Sequence, residues 1–256
     1  MTTDRLKLHY ETKYASARDE ATTLLTIPMR MPMPKDRYEA ACSFLPDFVP
    51  PQASILELGA GDGRVAHSLR QGGVAFGTYT LGDISEARLE GLRKSLHGDQ
   101  FRFIYADADD ITKDVDGAFD GIVMIALIEH LVDPMRSMQA IRQMLKPGGF
   151  VYVDTPNIAK WTRRAKLALG RFPSTASVNE GLTTYSGEPS DLYDEGHLHY
   201  FTYRSLALML TKRCGFTSVR EFGYYLDDRP FGRHFGTALA RRWPSLFSEL
   251  SCVAYA

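Results

Sequence analysis

Gly59, Gly61 and Gly63 follow an acid, Glu57, in the stretch ILELGAGDGRVAHSL from Ile55 to Leu69. Glycines in such a turn let a ligand approach the backbone, because no Cβ stands in the way. A dinucleotide turn needs G-x-G-x-x-G with an anion at the next helix N-terminus. Here the place of that third glycine is taken by Arg64. No Gly-Lys-Ser/Thr follows, which excludes a phosphate-binding loop of that type. Glu57 would repel a pyrophosphate and attract a cation. Asp83 lies twenty residues past Gly63, at the end of the second strand-like run, VAFGTYT followed by GDIS, and its carboxylate can accept both hydroxyls of a ribose. Together these residues suit a phosphate-free nucleoside that carries a cationic group.

Histidines stand at two further places. A neutral imidazole is the natural base near pH 7. His130, in IEHL, follows the fourth apolar run, at the sheet edge where ligands of parallel sheets bind. It reads equally as a cap or as a ring bonded to backbone. DEGHLHYF holds His197 and His199, which point to one side if the segment is extended. They can act as base, orient a substrate, join a carboxylate on a metal, or pack while Leu198 and Phe201 enter the core. No metal is assigned. The three cysteines, Cys42, Cys214 and Cys252, are scattered, form no CxxC, and read as buried thiols of a reducing, cytoplasmic compartment.

The elements that must position these residues alternate. Strand-like runs lie at 54–59, 74–80, 101–106, 121–126 and 150–155, with helical patterns near 36–45, 64–71, 85–97 and 133–145. This order predicts parallel βαβ units. Pro147-Gly148-Gly149 ends the last of these helices. The Pro-broken IPMRMPMP cannot be a helix. Alternation stops after Pro156, so 157–200 is expected to be a lid or substrate-binding insertion. Within it KWTRRAKLALGR, 160–171, carries five cations and no acid, with Trp161, Ala165, Ala168 and Leu169 on one helical face. It reads as a lid helix with a solvated face or as a peripheral membrane contact. Acids at Glu180, Glu188, Asp191, Asp194 and Glu195 follow it. A helix from Thr202 or Tyr203 to Gly215 and β-like runs SVREFGYYL and LSCVAYA complete the chain.

The 256 residues carry a net charge of −1 and 44% hydrophobic residues, ordinary for one large soluble domain. A nucleic-acid binder would show a basic excess. The N-terminus has no secretory apolar core, and no apolar run is long enough to cross a bilayer.

ELGAGDG, GDIS, ADADD, FDGIVMIALIEHL and LKPGGFVYVDTPN, in this order, resemble the class I S-adenosylmethionine-dependent methyltransferases over residues 36–157. TPN and GHLHYFTYRSLALML resemble the branch of ubiquinone-biosynthesis O-methyltransferases and small-molecule or glycan-pathway enzymes. The resemblance implies a seven-stranded, mostly parallel, doubly wound α/β sheet of the Rossmann-like kind. It would comprise an N-terminal cap at 1–50 and a catalytic domain at 51–256 with its lid at 157–200. It further implies that Glu57, Gly59, Ala60, Gly61 and Gly63 cradle S-adenosylmethionine. Asp83 and Ile84 would hold ribose and adenine, Asp107 and Ala108 the adenine amino group, and Ile125 with Ala126 the methionyl ammonium. Relatives often carry a polar residue where Ala126 stands. Tyr10 and Tyr14 resemble residues of an entry segment that closes over the cofactor.

The expected activity is methyl transfer to a small molecule, at oxygen before nitrogen, by a monomer or homodimer, with His130, His197 and His199 as candidate bases. PNIAKWTRRAKLALGRFP also resembles an insert of methyltransferase-like proteins that regulate a partner without turnover. Nucleic-acid methylation is disfavoured by the near-zero charge and by IALI where base-methylating relatives carry an NPPY-type motif.

Overall fold

The computed structural model describes residues 8, 11–12, 24–176, 194, 196–226 and 231–256. Tyr10, Tyr14, Glu180, Glu188, Asp191 and Glu195 lie outside them. The chain runs α1 (Arg37–Phe44), β1 (Ser54–Leu58), α2 (Arg64–Gln71), β2 (Thr78–Asp83), α3 (Glu86–Ser95), β3 (Phe101–Tyr105), α4 (Ile111–Asp114) and β4 (Phe119–Ile125). It continues through α5 (Pro134–Gln143), β5 (Leu145–Thr155), α6 (Trp161–Ala168), α7 (Tyr203–Arg213), β6 (Ser218–Phe222), α8 (Arg233–Arg242), α9 (Pro244–Phe247) and β7 (Leu250–Tyr255).

The seven strands form one sheet in the order β3-β2-β1-β4-β5-β7-β6. The first five are parallel, and β7 runs antiparallel between β5 and β6. The near-continuous apolar runs of β1 and β4 need burial on both faces, which helices on each side provide. Leu56, Leu58, Ile122 and Met124 face one core, toward α5 and α7. Ile55, Tyr79, Val123 and Ile125 face the other, toward α1, α2 and α3.

Local chemistry sets the helix starts that matter for the site. Ser85 caps α3, its hydroxyl accepting from Arg88 N–H. Thr202 and Ser205 form a reciprocal capping box on α7. Gly63 precedes α2 at φ 77°, and a Cβ there would stand 2.6 Å from Leu96 Cδ1 and 2.7 Å from Leu92 Cδ2. That glycine lets α2 and α3 pack together.

Four expectations are corrected. The second strand begins at Thr78 and runs to Asp83. Val74 to Gly77 are instead irregular, and Gly77 comes against the Gln52 backbone, where a Cβ would meet its carbonyl oxygen at 2.7 Å. The helix expected to 145 stops at Gln143, and Leu145 already pairs with Phe119. SVREFGYYL leaves the sheet at Phe222, where Gly223 packs on the Ala240 carbonyl of α8. The helix α8 was not foreseen, because Gly236 inside it lowers its helical propensity; Gly236 makes room for the Tyr225 ring.

The fourth correction concerns α6. Its basic side turns inward: Lys160, Arg163 and Lys166 are buried, whereas Leu167 and Leu169 are each 65% exposed. The reason is Glu249, buried before β7, which binds Lys160 Nζ at 3.1 Å and Arg163 Nη1 at 2.8 Å. Buried charges persist when paired. Among the described residues no helix is long and apolar enough to cross a membrane.

Candidate functional site

β1 and β4 are neighbours, but their connections leave in opposite directions along the sheet. Such a switch point opens a crevice at the carboxyl ends of the strands. A cavity of about 170 Å³ lies there. Its wall comes from the ends of all four neighbouring strands: Gly59 and Gly61 after β1, Asp83 and Ile84 at β2, Ala106 to Asp109 after β3, and Ala126, Leu127, His130 and Leu131 after β4. Arg88 of α3 completes it.

The glycines divide their roles. Gly61, at φ 59°, has nothing nearer than 4.0 Å to the place of a Cβ, so it leaves cavity space open. Gly59, at φ 66°, packs on Leu127, whose Cδ1 would stand 3.3 Å from a Cβ. Both turn residues hang on β2, since the Gly59 and Ala60 N–H groups donate to the Gly82 carbonyl.

Asp83 is buried at the cavity wall, and its Oδ1 accepts from Ser85 N–H at 3.0 Å. Burial raises its pKa, while the Ser85 N–H and Arg88 hold it back. Asp107 behaves alike: burial raises it, and Asp109 N–H donates to Oδ1 at 2.9 Å. Asp109 is a tether, accepting from Val132 and Asp133 N–H groups. Glu11 reaches α3 from the N-terminal segment and accepts from Glu86 N–H at 2.7 Å.

Of the expected cofactor residues, Gly59, Gly61, Asp83, Ile84, Asp107 and Ala108 meet at this cavity; Glu57, Ala60, Gly63 and Ile125 do not line it. Glu57 lies on the sheet face shared with Ile55 and Tyr79, where the Tyr79 hydroxyl donates to Oε2 at 2.9 Å. Burial pushes its pKa up to about 8. Turned toward Tyr79 and off the cavity wall, this carboxyl is not where the sequence reading placed a partner for a cation. At β4 the lining shifts one residue on, to Ala126, whose φ of 51° is a left-handed conformation rare for a residue with a Cβ.

His130 lines the cavity at the expected sheet edge and bonds through Nδ1 to the Gly196 carbonyl at 2.6 Å. The His197 ring stands 4.8 Å from it in a T-shaped contact. His199 diverges: its Nε2 lies 3.3 Å from the Val132 carbonyl. The expectation that His197 and His199 share a side is therefore corrected. The Leu198 and His199 N–H groups both donate to the Glu129 carbonyl, so the backbone there is not a simple extended strand. Leu198 is exposed and only Phe201 enters the core.

Sequence reading missed the acid beside His130. Glu129 is buried, its Oε2 accepts from Thr155 Oγ1 at 2.7 Å, and its Oε1 is buried with no hydrogen-bond partner. One ligand atom each from Glu129, His130 and His197 lie within 4.8 Å of one another, a set that can receive donors of a substrate or a divalent cation. Burial lowers the His197 pKa to about 4, with His130 adding to the effect, so the ring is neutral at pH 7. Deeper in, Tyr224 hydroxyl donates to Asp154 at 3.0 Å. Burial would lower the Arg37 guanidinium, but Asp154, Tyr224, Glu129 and Glu249 raise it. The adjacency of Glu129 to His130 was the available signal; Arg37, Asp154 and Tyr224 meet only through the fold.

A family model described as a methyltransferase domain matches residues 33–221. A ubiquinone biosynthesis O-methyltransferase of Xanthomonas oryzae pv. oryzae is 29% identical over 107 residues, 41% of this chain and 44% of that protein. The enzyme of that name from Pseudomonas paraeruginosa is 28% identical over 106 residues, with 41% and 44% covered. The match thus spans less than half the length of these curated relatives. Among solved structures, similarity extends to a chain in the complex between the Haloferax volcanii Trm112 methyltransferase activator and a putative methyltransferase (TM-score 0.56, 16% identity, 81% of this chain and 84% of that one). It extends also to the plantazolicin methyltransferase BamL in complex with a triazolic analog and SAH (TM-score 0.54, 17% identity, 82% and 79%). At these identities the likeness is one of fold.

Proposed function

The chain belongs to the methyltransferase-domain family, and on that premise we propose that it transfers the methyl group of S-adenosylmethionine to a small-molecule acceptor, at oxygen in preference to nitrogen. The observation that carries the reading is the pairing of an open backbone at Gly61 with a buried carboxyl at Asp83 across one cavity at the switch point. These residues suit a nucleoside. Asp83 would take the ribose hydroxyls, Ile84 and Ala108 would pack on the adenine, and Asp107 would accept its amino group. Ala126 and Leu127, rather than Ile125, would contact the methionyl end.

When bound, S-adenosylmethionine supplies an electrophilic methyl on sulfur with a neutral thioether as leaving group. What remains for the protein is alignment and proton management. The acceptor would enter from the side of Glu129, His130 and His197. Glu129 Oε1 has no donor of its own, and a hydroxyl of the acceptor can provide one. A neutral histidine there takes the acceptor's proton as the oxygen attacks.

The test incubates the full chain with methyl-labelled S-adenosylmethionine and a small-molecule extract fraction. Label in an organic product, with demethylated cofactor accumulating, supports an enzyme of this class. Cofactor binding without turnover on any fraction points to the regulatory, methyltransferase-like alternative.

A further inference from the structure

His197 is gripped through side chains. Its Nδ1 lies 2.7 Å from Thr175 Oγ1, and the Thr175 hydroxyl donates to Asp194 Oδ2. Asp194 is fully enclosed and gathers further donors: the Thr175 N–H at 2.7 and 2.8 Å to its two oxygens, Ser174 Oγ at 2.5 Å and Ala176 N–H at 2.9 Å. Asp194 itself sits at φ 55°, which this set of bonds holds in place.

A threonine hydroxyl has one proton. With that proton given to Asp194, Oγ1 offers His197 only lone pairs, so Nδ1 must bring the proton of that contact. The reverse arrangement would press lone pairs of Thr175 Oγ1 and Asp194 Oδ2 together with no proton between them. We infer that Thr175 and Asp194 are positioning residues that hold His197 in the Nδ1–H tautomer and leave its Nε2 lone pair for the acceptor. His130 is fixed the same way by simpler means, since the Gly196 carbonyl can only accept and Nδ1 must donate to it. Among the described residues the Nε2 atoms of both rings have no hydrogen-bond partner.

The inference rests on the methyl-transfer reading for its consequence, though not for its geometry. A proton leaving the acceptor hydroxyl goes to His197 Nε2. The resulting imidazolium keeps its Nδ1–H on Thr175, with the Asp194 carboxylate 3.8 Å from that nitrogen. Asp194 orients the ring through an intervening hydroxyl, much as a carboxylate orients the histidine of a hydrolase triad.

The experiment is nitrogen-15 NMR of the full chain labelled at histidine, with the residue 197 signals assigned by their loss in His197→Gln. At pH 7 wild type is expected to carry the ring proton on Nδ1. Thr175→Ser keeps that pattern, and Thr175→Val loses it, moving most of the population to Nε2–H. A wild-type proton on Nε2 overturns the inference, and it needs no variant to fold. A folded Thr175→Val with the wild-type pattern overturns it as well. Calorimetry with S-adenosylmethionine on the same sample keeps the two readings apart: absent binding sinks the methyl-transfer proposal and leaves the tautomer result standing.

Discussion

Asp83→Asn keeps the shape of a buried side chain at the cavity wall and removes its charge. Two ribose hydroxyls would donate to the native carboxylate. Hydrogen bonds to a charged group are worth about 1.5–3 kcal/mol each. The asparagine oxygen retains one acceptor, so the expected loss is about 3 kcal/mol, or about a hundredfold in affinity for S-adenosylmethionine. Stability should move the other way. Burial raises the Asp83 pKa, so its ionised form is disfavoured in the folded, ligand-free protein. A raised carboxyl contributes stability below its unfolded pKa and loses it as pH rises through the folded one. At neutral pH the neutral asparagine therefore leaves Tm unchanged or higher. Calorimetric titration and thermal unfolding together decide the matter. Affinity within threefold of wild type would remove Asp83 from the nucleoside site, and a fall in Tm with the affinity would turn the effect into a folding defect.

Gly63→Ala should destabilise by about 2–4 kcal/mol in urea unfolding, because its Cβ meets Leu96 and Leu92 on top of a left-handed φ. Gly61→Ala should cost about 1 kcal/mol for φ alone and lower cofactor affinity more than stability. Glu249→Gln leaves Lys160 and Arg163 buried without their carboxylate, and about 3–5 kcal/mol of stability should go. Burial raises the Glu249 pKa, but Arg163 and Lys160 bring it down to about 2, so its contribution is present above the unfolded carboxylate range and fades as pH falls through 2. His197 acts over a different window. Its folded pKa near 4 lies below the unfolded value, so the folded state binds fewer protons between them. Stability should drop by up to about 3 kcal/mol as pH falls from 6.5 to 4 and then level off, and His197→Gln should abolish that part of the slope.

The parallel sheet was legible because its strands are buried on both faces and their apolar runs are bounded by glycine and acid turns. Asp83, Gly61 and His130 were legible for a related reason: each lies at a strand end or in the short connection that follows one, so chain order gives the position. What escaped depends on contacts between distant parts of the chain. Glu57 looked like a ligand to a cation because nothing in the sequence says that Tyr79 takes its carboxyl inward. The cations of α6 looked solvated because their partner, Glu249, lies near the other end of the chain. The His197 clamp needs Thr175 and Asp194 brought together, and no spacing announces that. The helix α8 hid behind an interior glycine, Gly236, that seats the Tyr225 ring.

Isothermal titration of the full chain with S-adenosylmethionine, its demethylated product and a nicotinamide dinucleotide tests the central claim most directly. Saturable one-to-one binding of the first two, with no heat from the dinucleotide, is the predicted result. Silence toward both sulfur nucleosides, or tight uptake of the dinucleotide, would contradict the assignment of the Gly61–Asp83 crevice.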